Sequence, residues 1–197
     1  MSITQELSVT ATLNLGRAIA TLTTAFSNDS ITRWFIRDAD TYLTFWPRIV
    51  AAMAGKAFDN GTADSVADHR GVALWLGPGV ESDEEAMDDL IGEAIAPADQ
   101  QDVFAFMTQM GEFHPTYTHW YLPLIGVDLP HEGRGYGSAL LVHSLRRCDA
   151  DRLPAYLEAT NPRNKLLYER HGFEEQGVIQ AGGSPPMWPM LRQPVAT

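Results

Sequence analysis

Three glycines within five residues, in the stretch GRGYGS from Gly133 to Ser138, are the first feature of this chain that could do chemistry. Glycine loses more backbone freedom on folding than any other residue, so such a cluster indicates an exposed loop with an unusual backbone. The spacing of Leu140, Leu141 and Leu145 directly after it predicts a helix from Gly137 to Cys148. The free N–H groups at the start of that helix could bind the oxygens of a phosphate.

Two familiar glycine loops do not match this spacing. A nucleotide-triphosphate loop needs GxxxxGK[ST], and no Gly-Lys-Ser/Thr occurs in the chain. A dinucleotide loop needs GxGxxG, and the third position counted from Gly133 is Ser138. What remains is a strand, a short loop and a helix start, where Arg134 could add a charge-assisted hydrogen bond to a bound anion. On the loop alone, a turn without any ligand stays open.

Two longer stretches resemble signatures of the GCN5-related N-acetyltransferase (GNAT) superfamily. VDLPHEGRGYGSALL, which begins at Val127, resembles the loop that holds the pyrophosphate of acetyl-CoA in that family. NPRNKLLYERHGF, from Asn161 to Phe173, resembles the second family signature. The resemblance is firm over about 120–173 and is greatest to the puromycin N-acetyltransferase branch, whereas 77–116 matches no family pattern. It implies a single N-acetyltransferase domain over residues 1–197, with acetyl-CoA as the acyl donor.

The resemblance also implies which residues bind acetyl-CoA. They are Ile125, Gly126, Val127, Gly133, Arg134, Gly135, Tyr136, Gly137, Ser138, Asn161, Asn164 and Tyr168. Glu132 departs from the pattern, because the family usually carries Arg or Gln there. A carboxylate beside a pyrophosphate is repulsive unless it points away. Asn161 before Pro162 could equally cap a helix, and the two roles are compatible.

In the GNAT family the acetyl group passes directly to the amine within a ternary complex. This expectation agrees with Cys148, the chain's one cysteine, lying in a predicted helix away from the strand ends. The resemblance implies that backbone N–H groups around Leu124 to Val127 stabilise the carbonyl oxygen and that Tyr168 protonates the departing thiolate. A phenol with a pKa near 10 can do this for a thiol with a pKa near 8.5.

The general base is less defined by the sequence. Glu158 lies near the carboxyl end of a predicted strand, where ligands collect in α/β proteins, although an ion pair across the sheet would also explain it. His119 has a suitable pKa but could be structural. Glu112, His114 and a relaying water are further candidates. The six histidines lack the spacing of a metal motif, so no metal is expected.

The expected acceptor is the primary amine of a small molecule. Acetylation of a protein N-terminus or lysine, and a non-catalytic module that binds acyl-CoA, are the alternatives. The acidic stretch ESDEEAMDDLIGE, residues 81–93, is a solvated helix face, a mobile segment or a lid over an amine-binding cleft. A homodimer through the late strands would suit the apolar PPMWPML, and a core strand would explain that segment equally well.

Composition limits the other function classes. The formal charge of −11 argues against nucleic acid, and no apolar run reaches the roughly 20 residues that a membrane helix needs. The first residues lack the pattern of a signal peptide, so a cytoplasmic protein is expected. The 197 residues, 45% of them apolar, suffice for one compact domain.

The elements that must position these residues alternate along the chain. Helices are predicted over about 15–26, 41–58, 101–110, 137–148 and 162–171, and strands near 7–9, 65–67, 71–76, 117–127, 155–159, 173–180 and 187–191. Pro123 has no N–H for a sheet, so a bulge or a parting of neighbouring strands is expected there. The fold class is α+β (α/β): a single GNAT-type domain with a mixed, mostly antiparallel sheet of about seven strands, flanked by helices and splayed at the strand before the glycine loop.

Overall fold

The computed structural model describes residues 7–12 and 14–196. In chain order its elements are β1 (Val9–Ala11), α1 (Leu15–Ala25), α2 (Ser30–Phe35), α3 (Ala39–Ala54), α4 (Lys56–Asp59), β2 (Ala63–Val66), β3 (Gly71–Leu76), α5 (Glu84–Ala94), α6 (Gln100–Phe113), β4 (Trp120–Val127), α7 (Tyr136–Asp151), β5 (Ala155–Ala159), α8 (Pro162–Arg170), β6 (Glu174–Glu175) and β7 (Trp188–Arg192). Across that part of the chain, no helix is both long and apolar enough to cross a bilayer.

The strands form one sheet of seven in the order β1-β2-β3-β4-β5-β7-β6. Only β4 and β5 run parallel among these neighbours, joined by the crossover through α7. The other neighbours are antiparallel. This confirms the predicted mixed, mostly antiparallel sheet.

The sheet parts in its middle. β4 and β5 pair only at Trp120 with Ala155 and at Tyr121 with Tyr156, although both strands continue beyond these pairs. On its other side β4 shows a register shift between the partners of Leu74 and Leu76, at the level of Pro123. The expected bulge and the expected parting are therefore both present, and proline's missing N–H costs no ladder bond.

Helices cover both faces of the sheet. The face towards α7 is filled by large apolar side chains such as Trp75, Leu122 and Leu157. The opposite face packs Val72, Leu74 and Leu124 against helices α1, α3, α5 and α6. Leu122 and Leu124 are two residues apart and would share one face of a regular strand, so the register shift between them is what brings β4 into both cores.

Several element boundaries differ from those predicted. The predicted helix over 41–58 divides at Gly55 into α3 and α4, α2 was not predicted, and α5 was predicted only as one of the alternatives for residues 81–93. The predicted strand over 173–180 is reduced to β6 and one bridge between Ile179 and Met187. Gly177 lies between these two pairings. Helix α6 packs closely against it, because a Cβ atom at this position would lie 2.6 Å from the ring of Phe113.

Candidate active site

The glycine loop forms the amino end of α7. Gly133 and Gly135 have φ values of +73° and +82°, a left-handed backbone that other L-residues adopt only at a cost. The first bond of the helix runs from the N–H of Ala139 to the carbonyl of Gly135, at 2.9 Å. The amides of Tyr136, Gly137 and Ser138 precede that bond, as the first N–H groups of any helix do. Together with the helix dipole they fit a pyrophosphate.

The carboxylate of Glu132 is engaged by α8. Its Oε2 atom lies 3.0 Å from Nη1 of Arg163, and both side chains are substantially exposed. An ion pair in this setting contributes little to stability, but it neutralises the carboxylate next to the glycine loop. The departure from the family pattern at Glu132 therefore leaves no uncompensated negative charge beside the loop.

The parted edge of β4 is the second feature suited to a coenzyme. Residues Leu124 to Val127 pair with β3 on one side and have no β5 partner on the other. An extended arm carrying amide groups could therefore add to this edge as a strand does. Gly126 lets α1 approach β4 closely, because a Cβ atom there would lie 2.8 Å from the Cβ of Ala25.

Helix α8 positions Tyr168 and two asparagines. Tyr168 is buried, with its ring centroid 6.0 Å from that of Phe173. Burial, with the nearby charge of Asp29, raises the pKa of Tyr168, so its phenol stays protonated at neutral pH. The side chain of Asn161 caps the helix by accepting from the N–H of Asn164 at 2.9 Å. Capping is thus observed, and coenzyme contact by these asparagines stays a prediction.

A partly open cavity of about 120 Å³ lies beside the parted edge of β4. It is lined by side chains from α2, α3, α5, α6, β4 and β5, with residues of the intervening loops. These are Phe26, Ile31, Thr32, Phe35, Ile36, Trp46, Ile49, Met53, Met87, Ile91, Ile95, Met107, Met110, Tyr121, Pro123, Leu124, Glu158, Thr160 and Met187. Within this described lining, Glu158 is the one ionisable carboxylate.

Glu158 is held in that cavity by Tyr121. The hydroxyl of Tyr121 donates to Oε2 at 3.0 Å, whereas Oε1 is buried and has no hydrogen-bond partner within the described residues. Burial raises the pKa of Glu158 to about 7, even though the bond from Tyr121 favours the ionised form. A carboxyl group with this pKa can accept or release a proton near neutral pH.

His119 lies outside the cavity lining. Its Nε2 atom is 3.2 Å from Nε2 of His114, and its Nδ1 atom is 2.8 Å from the carbonyl oxygen of Tyr117. Burial, together with the neighbouring His119, lowers the pKa of His114 to about 4. Of the predicted base candidates, Glu158 therefore faces the cavity. The two histidines pair with each other, and Glu112 is exposed on α6.

Cys148 is buried on α7. Burial raises the pKa of its thiol to about 12, so the thiolate needed for nucleophilic attack is scarce at neutral pH. This favours direct transfer over a covalent cysteine intermediate.

The segment 77–116 forms the roof of the cavity. In α5 the acidic side chains are exposed, while Met87 and Ile91 face the cavity. Met107 and Met110 of α6 complete this side. The acidic residues therefore form a solvated helix face, and the apolar side of the same helix covers the cavity.

Sequence reasoning missed the contacts that join α2 to the end of β5. The Oγ1 of Thr160 donates to Oδ2 of Asp29, and the hydroxyl of Ser30 donates to the carbonyl of Thr160 at 3.2 Å. Asp29 also caps α2 by accepting from the N–H of Thr32. The signal was Asn28-Asp29-Ser30, which marks a helix start as well as a helix end. Tyr121 was also missed, because only the pairing of β4 with β5 brings it to Glu158.

No metal centre is formed by the described residues, in which no three His, Cys, Asp or Glu side chains are placed to share an ion.

Comparison with known proteins supports an acetyltransferase domain. Residues 90–175 match the family model described as an acetyltransferase (GNAT) domain. An uncharacterized N-acetyltransferase of Schizosaccharomyces pombe is 27% identical over 155 residues, which are 68% of this chain and 60% of that protein. The chain thus spans less than two thirds of the length of this relative.

Solved structures extend the likeness to the fold. A structure described as histone acetyltransferase HPA2 and related acetyltransferase, from Corynebacterium glutamicum, superposes with a TM-score of 0.70 at 25% identity. It covers 98% of this chain and 99% of its own. The polyamine N-acetyltransferase of Drosophila melanogaster superposes with a TM-score of 0.64 at 12% identity, over 95% and 99% of the two chains. Residues 90–175 are therefore similar to a GNAT acetyltransferase domain, and the parted sheet, glycine loop and flanking helices give the described chain the fold of solved acetyltransferases.

Proposed function

We propose that this protein is an acetyl-CoA-dependent N-acetyltransferase that acts on the primary amine of a small molecule by direct transfer. The observation that carries the proposal is the position of Glu158. Its carboxylate lies in a largely apolar cavity whose wall includes Pro123 and Leu124, on the parted edge of β4. An amine in this cavity would meet a base on one side and the coenzyme strand on the other.

Residues of the chain can supply the base, the carbonyl-oxygen contacts and the acid that acetyl transfer requires. Acetyl-CoA supplies the activated acetyl thioester. Glu158 accepts a proton from the amine, whose nitrogen forms the new C–N bond as the C–S bond breaks. Backbone N–H groups of Leu124 to Val127 on the parted edge stabilise the charge that develops on the carbonyl oxygen. Tyr168 donates its proton to the departing sulfur, and the catalytic pair is therefore a base and an acid with well-separated pKa values.

The remaining coenzyme residues are assigned by position. The loop from Gly133 to Ser138, which includes Arg134, binds the pyrophosphate, and Ile125 to Val127 bind the pantetheine arm. Asn161 keeps its amide nitrogen for the same arm while its oxygen caps α8. His119, next to His114, relays protons to solvent at most, since it does not line the cavity.

The relatives support an amine acceptor without naming one. Proteins of this fold include those named for agmatine, arylalkylamines and polyamines. The finer resemblance to the puromycin N-acetyltransferase branch rests on segments that contact the coenzyme, and such segments do not select the acceptor. The ion pair with Arg163 neutralises Glu132, so this carboxylate does not argue against normal coenzyme binding. A non-catalytic module that binds acyl-CoA is therefore disfavoured.

A coupled thiol-release assay tests the proposal. Purified protein, acetyl-CoA and a panel of 2-phenylethylamine, agmatine, spermidine, puromycin and a lysine-containing peptide are combined, and products are identified by mass. We expect thiol release and a mono-acetylated product with at least one free amine. Acetyl-CoA binding by calorimetry without thiol release on any acceptor would contradict catalysis and favour the binding module.

A further inference from the structure

The walls of the cavity are almost entirely apolar. Five methionines and several aromatic rings contribute to them, and Glu158 is the one charged side chain in the described lining. We propose that the acceptor is a primary amine on a compact apolar body, the size of one six-membered ring or a short branched chain. This inference rests on the proposed function and adds its substrate class.

The size of the cavity supports a single small group. A cavity of roughly 150 Å³ lined by aliphatic and aromatic side chains binds benzene. The cavity here, at about 120 Å³, is slightly smaller. Methionines adapt their shape to an apolar guest, so a ring or a branched chain is accommodated without a polar contact. An amino-nucleoside or an extended peptide is too large for this space.

The charge of the cavity selects against a second cation. Glu158 receives the reacting amine, and no other carboxylate lines the described walls. The distal guanidinium of agmatine or the second amine of spermidine would therefore be buried without a counter-charge, which is strongly unfavourable. The exposed acidic residues of α5 point to solvent and do not supply one.

Helices α5 and α6 determine this selectivity. Met87 and Ile91 of α5, with Met107 and Met110 of α6, cover the side of the cavity opposite the sheet. Met87 lies before the residues that match the GNAT domain model, and Ile91, Met107 and Met110 lie within them. Because they close this side of the cavity, we expect these side chains to limit the size and charge of the amines that fit.

Competition between amines tests the substrate class. We expect kcat/KM for 2-phenylethylamine and isoamylamine to exceed that for agmatine, spermidine and puromycin by at least about 30-fold. Each methylene removed from the apolar body should lower kcat/KM about 4-fold, which corresponds to about 0.8 kcal/mol. Equal or better turnover of agmatine, spermidine or puromycin would overturn the inference and leave the proposed function intact.

A charge placed in the roof should change the selectivity. Met110→Glu adds a second carboxylate to the cavity, so the ratio of kcat/KM for 2-phenylethylamine over agmatine should fall at least 10-fold. The matched control is Phe104→Glu, which places the same charge on the exposed face of α6, where Phe104 is 75% exposed. An unchanged ratio in Met110→Glu, or an equal fall in Phe104→Glu, would contradict the assignment of the roof.

Measurements of amine binding distinguish failure of the proposed substrate class from failure of the proposed acetyltransferase function. Trp46 lines the cavity, so its fluorescence reports an amine that enters. If no acceptor is turned over, the proposed function fails, and tighter binding of 2-phenylethylamine than of agmatine still supports the apolar site. Tighter binding of agmatine overturns it. Met110→Ala provides a variant without new charge, and it should bind a larger ring, 2-naphthylethylamine, more tightly than the parent does.

Discussion

At the scale of single residues, the proposed mechanism depends on two groups whose environments suit opposite roles. Burial raises the pKa of Glu158 to about 7 and leaves its Oε1 atom without a partner in the described residues. Burial also raises the pKa of Tyr168, which keeps that phenol protonated. Because the first group can accept a proton at neutral pH and the second can donate one, the pair matches the needs of amine acylation.

The pH dependence of the reaction should report Glu158. The carboxyl group is protonated and inactive as a base below its pKa, so kcat/KM, corrected for the fraction of unprotonated amine, should fall about tenfold per pH unit below about 7 and be constant above it. Glu158→Gln should lower kcat/KM by about 10²- to 10⁴-fold and abolish the limb near pH 7, leaving only the titration of the amine substrate. A limb that persists unchanged in Glu158→Gln would assign the base elsewhere.

The His114–His119 pair gives the matched comparison for that profile. His119→Gln should retain the limb near pH 7, since this histidine lies outside the cavity. Loss of the limb in His119→Gln and its retention in Glu158→Gln would exchange their roles.

Tyr168 should act on turnover and not on coenzyme affinity. Tyr168→Phe removes only the hydroxyl from a buried ring packed on Phe173, so folding and acetyl-CoA binding should be preserved. Loss of the proton donor should lower kcat about 100-fold or more. Steady-state kinetics and calorimetry measure the two quantities, with the exposed Tyr117→Phe as control. Undiminished kcat would remove Tyr168 from the mechanism.

At the scale of elements, the sequence predicted those with a strong local pattern. The strand over 155–159 was located at its observed bounds, and the bulge or parting at Pro123 followed from one missing N–H. Helix α2 was missed because six residues are too few for a periodic signal. Helix α5 was obscured by its charges, although Met87, Leu90 and Ala94 are buried at helical spacing.

The left-handed turn before α7 should be sensitive to a single methyl group. Gly135 has a φ of +82°, so Gly135→Ala should cost about 1–2 kcal/mol and lower the melting temperature by about 2–8 °C. The same change should weaken acetyl-CoA binding, because it displaces the amides that follow. Thermal melts and calorimetry measure both effects.

Gly111→Ala is the matched control for that turn. Gly111 lies within α6, and an added Cβ atom there would have no neighbour within 4 Å. Alanine is favoured over glycine inside a helix by about 0.5–1 kcal/mol, so this variant should be as stable as the parent or more so. Similar losses of stability in both variants would show that the turn is not strained by a side chain.

At the scale of the whole molecule, the residues proposed to bind the coenzyme could be recognised in the sequence, and the cavity proposed for the acceptor could not. The glycine loop and the second signature are each contiguous, so their chemistry is visible within a few residues. The walls of the cavity come from six helices and strands and from the loops between them. Individually those methionines and aromatic residues are ordinary core positions, and only the parting of β4 from β5 leaves space between them.

That parting also predicts how the whole chain responds to its acyl donor. A ligand that binds only the folded state stabilises it by about 2.7 kcal/mol at a concentration 100 times its Kd. Saturating acetyl-CoA should therefore raise the melting temperature by about 5–10 °C. It should also slow hydrogen exchange at residues 133–138 and along Leu124 to Val127, because these amides gain partners there. Exchange at Thr12, which already donates to Ala63 at the far edge of the sheet, gives the internal control. Equal protection at both edges, or no change in the melting temperature, would contradict binding in the gap.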